Sequence, residues 1–184
     1  MSETMRLVTA EELPAFQVDD YRYELVDGRV VRMNPPGGRH GYVALNIGAL
    51  LHDHVKKLGL GAVMVESGFT LARNPDTVRG PDVSFVRKDR IPQTGLPRGY
   101  WEGAPDLAVE VVSRDNRGAA LRSKVSDYLA KGVVVVVVID PDKESLTVHR
   151  RLSAPIMLTS GNELDLDDVV EGFRCQVNEI FNCG

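Results

Sequence analysis

Residues 104–113 read Ala104-Pro105-Asp106-Leu107-Ala108-Val109-Glu110-Val111-Val112-Ser113. After the proline the run is apolar almost throughout, as a buried strand is, with one carboxylate set inside it. Period-two alternation puts Asp106, Ala108, Glu110 and Val112 on one face and Leu107, Val109 and Val111 on the other. An ionised carboxylate in such a strand is costly unless a cation or hydrogen bonds compensate it, and an aliphatic side chain would fill the position at no such cost. Glu110 is therefore either paired with a basic residue or placed to hold a metal.

Downstream of this strand, Ala119 to Lys131 reads as a helix with Leu121, Val125, Tyr128 and Leu129 on its inner face, ended by Gly132. Val133 to Ile139 is wholly apolar and β-branched, the pattern of a central strand covered on both faces. Asp140-Pro141 stops it, and Ser145 to Arg150 returns as a hairpin partner at the edge. Ile156 to Phe181 predicts one or two strands and a short terminal helix. Upstream, Arg79 to Val86 brings in a strand with Asp82 at its start, and residues 87–103 form a long, partly basic loop. Two earlier strands fall at Ala62–Glu66 and Gly68–Ala72, followed by a turn at Asn74-Pro75-Asp76. His40 to Leu58 is an amphipathic helix, with Val43, Ile47, Leu50, Leu51, Val55 and Leu58 at helical spacing and Gly59 as its stop. Two β-rich runs flank Asp27-Gly28 within Tyr21–Met33, a strong hairpin signal. Thr9 to Glu12 resembles the capping box of a short helix ending near Pro14. The order is that of an α/β or α+β domain with a mixed sheet and few helices.

The 184 residues suit one domain, 1–184, with a core of about residues 21–150. No apolar run approaches the ~20 residues needed to cross a bilayer. The N-terminus lacks the basic-then-apolar layout of a signal peptide. Cys175 and Cys183 are the only cysteines, without metal-ligand spacing, which fits a reducing, cytoplasmic setting. The net charge of −4 excludes a global basic field for nucleic acid. Two local clusters could follow a phosphate backbone: Arg87, Lys88, Arg90 and Arg98, and Arg114, Arg117, Arg122 and Lys124. No aromatic-rich platform for base stacking is visible.

Three carboxylates stand out: Glu24, Asp82 and Glu110. Neighbouring strands could bring Asp82 and Glu110 together, and such a pair repels unless a proton or a cation intervenes. Hard oxygen ligands of this kind suit Mg²⁺ or Mn²⁺. Lys124 lies ~60° from Leu121 on the helical wheel, at the edge of the apolar stripe, from where it could reach the sheet. Each residue also has a plain structural reading. Asp82 could be a turn aspartate and Glu110 a salt-bridged glutamate. Glu24 could pair with Arg22, Arg29 or Arg32 across the hairpin, and Lys124 could be a snorkelling surface lysine. His40 is a loop-end histidine that could approach the site or be incidental to it. His52 and His54 are two apart on a helix and do not face each other. Asp106 reads as a turn or strand-edge residue.

Tyr23-Glu-Leu-Val-Asp-Gly28, Pro35-Pro-Gly37 with His40, Gly80-Pro-Asp-Val-Ser-Phe-Val86, Pro105 to Ser113, a lysine-bearing helix, Gly132-Val133 and Asp140-Pro141 occur in this order. The ordered set resembles the Uma-two family of the PD-(D/E)xK nuclease superfamily, from about Tyr21 to Arg150. The resemblance implies a restriction-endonuclease-like fold, a mixed sheet flanked by helices with an N-terminal hairpin. It implies Asp82 as the first acidic metal ligand, Glu110 as the second, the Val111 carbonyl as a third, and Glu24 as an auxiliary acid. Val112 stands where the motif has its lysine, so Lys124, on the following helix, is the matching candidate. The valine run at 133–138 departs from the family's usual Glu and aromatic residues there. The implied function is a Mg²⁺- or Mn²⁺-dependent endonuclease acting on duplex DNA, leaving a 5′-phosphate and 3′-hydroxyl. A homodimer is expected besides, since cutting both strands of a duplex is simplest with two copies and two-fold dimers are the commonest oligomers. Two alternatives stand beside it: a catalytically silent nuclease-fold module that binds nucleic acid or a protein, and a carboxylate-pair hydrolase acting on sugars.

Overall fold

The computed structural model describes residues 6–16, 21–113 and 116–182. Arg114 and Cys183, both weighed above, lie outside them. A 3₁₀ turn at Leu13–Phe16 comes first. It begins where the predicted helix was to end, and Glu12 accepts the Thr9 backbone N–H. Strands β1 (Arg22–Val26) and β2 (Arg29–Met33) form the hairpin, with Val26 opposite Arg29. Asp27 and Gly28 both take positive φ, as a two-residue turn matched to strand twist requires. Helix α1 (Gly38–Leu58) ends in a left-handed Gly59. Then come β3 (Gly61–Val65), β4 (Phe69–Ala72), β5 (Thr77–Arg79), β6 (Val83–Arg87), β7 (Trp101–Glu102) and β8 (Leu107–Val111). Helix α2 (Gly118–Ala130) leads to β9 (Val135–Asp140), β10 (Ser145–Arg150), β11 (Ile156–Thr159), β12 (Glu163–Asp165), β13 (Arg174–Gln176) and α3 (Val177–Phe181).

A six-stranded mixed sheet runs β11-β10-β9-β8-β6-β3. Strand β8 pairs antiparallel with β6 and parallel with β9, so α2 is the crossover of a βαβ unit. Alternation along β8 sends Leu107, Val109 and Val111 to one core, under Val43, Ile47, Leu51 and Val55 of α1. The opposite face carries Ala108 into a second core with Val125 and Tyr128 of α2. A five-stranded sheet, β2-β1-β5-β4-β7, lies beside it, and β12 and β13 form a small third sheet.

Four sequence expectations change. Strand β10 is interior, because β11 pairs with its far side. The tail holds three strands. Residues 77–79 and 101–102 are strands of the second sheet, too short to show a period. The basic clusters are partly consumed: Arg90 pairs with Asp106 at 2.9 Å, Arg117 with Asp142 at 2.7 Å, and Lys124 is buried, while Lys88, Arg98 and Arg122 are exposed and make no ion pair among the described residues. Among the described residues, no helix is long and apolar enough to cross a membrane.

Gly61 sits opposite Arg87 where β3 meets β6, and a β-carbon there would lie 2.1 Å from the Val86 carbonyl oxygen. Backbone cannot swing aside as a side chain can. Gly61→Ala is expected to lower the unfolding free energy by about 1–3 kcal/mol, read from urea denaturation.

Candidate active site

The five- and six-stranded sheets meet at a cleft of about 110 Å³ lined by Glu24, His40, Asp82, Glu110 and Lys124 among others. The structure thus brings together all four side chains singled out from the sequence, and adds His40. Each position follows from local folding. Strand β6 starts at Val83, opposite Val109, so the β6–β8 ladder stops there. The Val111 N–H lies beyond it, and Asp82 Oδ2 accepts that N–H at 2.7 Å. His40, in the first turn of α1, comes to 3.2 Å from the same oxygen through Nε2. Among the described residues, Asp82 Oδ1 takes no hydrogen bond or ion pair.

Lys124 and Tyr128 are one helical turn apart on α2 and both reach Glu110. Lys124 Nζ lies 2.9 Å from Glu110 Oε1 and 3.0 Å from Oε2, and the Tyr128 hydroxyl donates to Oε1 at 2.8 Å. The Asn116 amide donates to Oε2 at 3.3 Å. Lys124 Nζ is also 2.9 Å from Glu24 Oε1. Lys124 is only 4% exposed, which rules out the snorkelling reading. Glu24 does not pair with Arg22, Arg29 or Arg32. Its Oε2 accepts from Arg79 at 2.8 Å and its Oε1 from the Gly80 N–H at 3.1 Å. Arg79 spans onward to Asp127 of α2 at 2.5 Å, while Arg22 pairs with Glu66.

The electrostatics divide the two glutamates. Burial would raise Glu24, but the charges of Lys124 and Arg79 hold it below the usual carboxylate range. Burial pushes Glu110 up to about 7; Lys124 opposes this, while Asp82 and Glu24 add to it. Burial would lower Lys124, yet the Glu110 and Glu24 carboxylates raise it above its ordinary value. One ammonium, Lys124, is thus shared by Glu24 and Glu110. Among the described residues no three His, Cys, Asp or Glu side chains form a ready-made cation cage. The ammonium of Lys124 fills the space between Glu24 and Glu110.

Sequence reasoning missed Arg79, Asn116, Asp127 and the polar role of Tyr128. The i, i+4 spacing of Lys124 and Tyr128 was a usable signal. Arg79 had none, since its strand is three residues long. Asp106 is structural: it accepts the Arg87 N–H and pairs with Arg90. His54 donates to or accepts from the Glu171 carbonyl, edge-on to Phe173, away from the cleft.

The architecture is the restriction-endonuclease-like α/β fold. It is shared with the crystal structure described as a putative nuclease belonging to DUF820 from Anabaena variabilis ATCC 29413. The TM-score is 0.83 at 19% identity, covering 95% of this chain and 97% of that one. The chain belongs to the Uma2 family, described as "Putative restriction endonuclease", whose model matches residues 9–178. A search of the curated proteins finds none that matches.

Folding raises Glu110 from 4.5 to about 7, so the folded state holds its proton more tightly than the unfolded state. The stability gained this way is complete below about 4.5 and is lost as pH rises through about 7. In EDTA, the unfolding free energy is expected to fall across that window. Glu110→Gln should flatten the fall, as measured by urea denaturation at a series of pH values.

Proposed function

We propose that the protein is a metal-dependent endonuclease that hydrolyses DNA phosphodiester bonds. One observation carries the reading: a lysine and two carboxylates from different elements, Lys124, Asp82 and Glu110, converge at the floor of one cleft. The donor chemistry fits a hard divalent cation, Mg²⁺ or Mn²⁺. Asp82 offers Oδ1, and Glu110 shares its one neighbouring ammonium, Lys124, with Glu24. Asp82, Glu110 and the Val111 carbonyl would hold the ion. When bound, it would supply a water of lowered pKa and positive charge against the scissile phosphate.

The chain's own residues do the remaining work. His40 and the Val111 N–H fix the Asp82 carboxylate through Oδ2, leaving Oδ1 without a partner among the described residues. Lys124 orients the attacking water and stabilises negative charge that builds on the phosphate. Glu24, locked by Arg79 and the Gly80 N–H, holds the Lys124 ammonium in place. Tyr128 and Asn116 fix the plane of the Glu110 carboxylate.

A second reading, a nuclease-fold module that binds without cleaving, draws on a different observation. Lys124 engages both oxygens of Glu110 and so partly neutralises the site without any ion. Calorimetric titration with Mn²⁺ and plasmid nicking in the same tubes separate the two. The nuclease reading expects Mn²⁺ binding and Mn²⁺-dependent nicking. Asp82→Asn should abolish both, and Lys124→Met should slow nicking about 100-fold or more while the protein stays folded. Nucleic-acid binding without Mn²⁺ uptake or nicking would establish the silent module instead.

A further inference from the structure

The same cleft carries information about the form of nucleic acid that can enter it. Glu110 is 1% exposed, Lys124 4% and Asp82 7%, at the floor of a space of only about 110 Å³. A phosphate of an intact duplex is fixed on a stiff rod between its stacked, paired neighbours, and bending that rod is costly. An unpaired strand can turn a single nucleotide inward at far smaller cost.

The charges around the opening point the same way. Proteins that grip duplex DNA do so mainly by neutralising phosphates with free basic side chains. Here Arg22, on the cleft wall, is held by Glu66 at 2.7 Å, and Arg117 by Asp142 at 2.7 Å. The net charge of the chain is −4. Among the described residues lining the cleft, the other basic side chain, Lys124, is buried between Glu24 and Glu110, so the wall itself offers a duplex no exposed, unpaired cation.

Such a contact is built into the wall. Tyr100 lies on bare backbone at Gly68, where a β-carbon would meet its Cδ1 at 2.3 Å and its Cε1 at 2.7 Å. The Trp101 N–H donates to the Gly68 carbonyl at 2.8 Å, which pins the loop and the ring. Tyr100 and Gly68 line both the cleft and an adjoining groove of about 580 Å³. That groove also holds Arg98, which is exposed and makes no ion pair among the described residues. Thr70 lines it too, and its buried hydroxyl has no hydrogen-bond partner among the described residues. A path therefore runs from the carboxylates, past an aromatic ring, to an unpaired cation.

We propose that the cleft receives a phosphate of single-stranded DNA, whose neighbouring unpaired base lies on the Tyr100 ring in the wider groove while the strand continues toward Arg98. This deepens the nuclease reading and rests on it. It departs from the duplex substrate and the absence of a stacking platform expected from the sequence, because Tyr100 reaches the site only through the fold. A single-stranded substrate also removes the argument for two copies acting together on a duplex.

The test compares a fluorescein-labelled oligothymidylate of about a dozen nucleotides with a labelled duplex of equal length. Binding is followed by anisotropy in EDTA, and cleavage with Mn²⁺. Tyr100 packs on the Leu25 and Val78 core, so the variants must keep that contact. Tyr100→Phe keeps the ring, whereas Tyr100→Leu keeps apolar bulk without a flat face, and thermal melting checks that both fold. Native protein should prefer the single strand. Tyr100→Leu should weaken its binding roughly ten- to a hundred-fold, and Tyr100→Phe should stay close to native. Equal or better binding and cutting of the duplex would overturn the proposal and leave the nuclease reading standing. So would a Tyr100→Leu protein that binds the single strand as native does. If neither DNA is bound or cut, the nuclease reading falls first and this one with it.

Discussion

The structure depends on one buried ammonium. Lys124 Nζ sits 2.9 Å from both Glu24 and Glu110, and its helix covers the face of the sheet from which Glu110 projects. Three elements distant in sequence, β1, β8 and α2, are thereby tied at a single atom, and the tie crosses from the five-stranded sheet to the six-stranded one. Each of these charges is expensive to take out of water, and the attraction among them offsets that expense only while all are present. Removing one partner of such a group typically costs about 3–5 kcal/mol, because the others remain buried without compensation.

This constraint also makes the site chemically unequal. Arg79 and Lys124 together secure the charge of Glu24. Glu110 shares Lys124 with Glu24 and has Asp82 beside it, so burial prevails and its carboxyl rises to about 7. Lys124 is thereby shared between two carboxylates that hold their protons unequally. A divalent ion beside Glu110 would favour its ionised form against burial, which links the electrostatics of the resting protein to the proposed chemistry.

Much of this was legible along the chain, for identifiable reasons. Glu110 declared itself because a carboxylate in an apolar strand has no cheap explanation. The Asp27-Gly28 turn, the α1 stripe and the Val133–Ile139 run each produce their own local pattern, and each became the expected element. What stayed hidden depends on pairing at a distance. Glu24 has three arginines close in sequence, yet it chose Arg79, because β1 pairs with β5 and not because of proximity along the hairpin. His40 looked incidental until the start of α1 was laid beside Asp82. Arg117 and Arg90 looked like a phosphate track until the fold placed Asp142 and Asp106 against them.

The sequence by itself therefore determined the mixed α/β class, which residues of the Glu110 strand share a face, and the four side chains that gather in the cleft. It could do so because burial and periodicity are written locally, within one turn or one strand. Only the tertiary structure decided which charges neutralise one another, how deep the carboxylates lie and which aromatic ring borders them. Those outcomes follow from the contacts between the two sheets and the two long helices. The energy of a buried charge is set by whichever group reaches it in space, and no spacing along the chain records that distance.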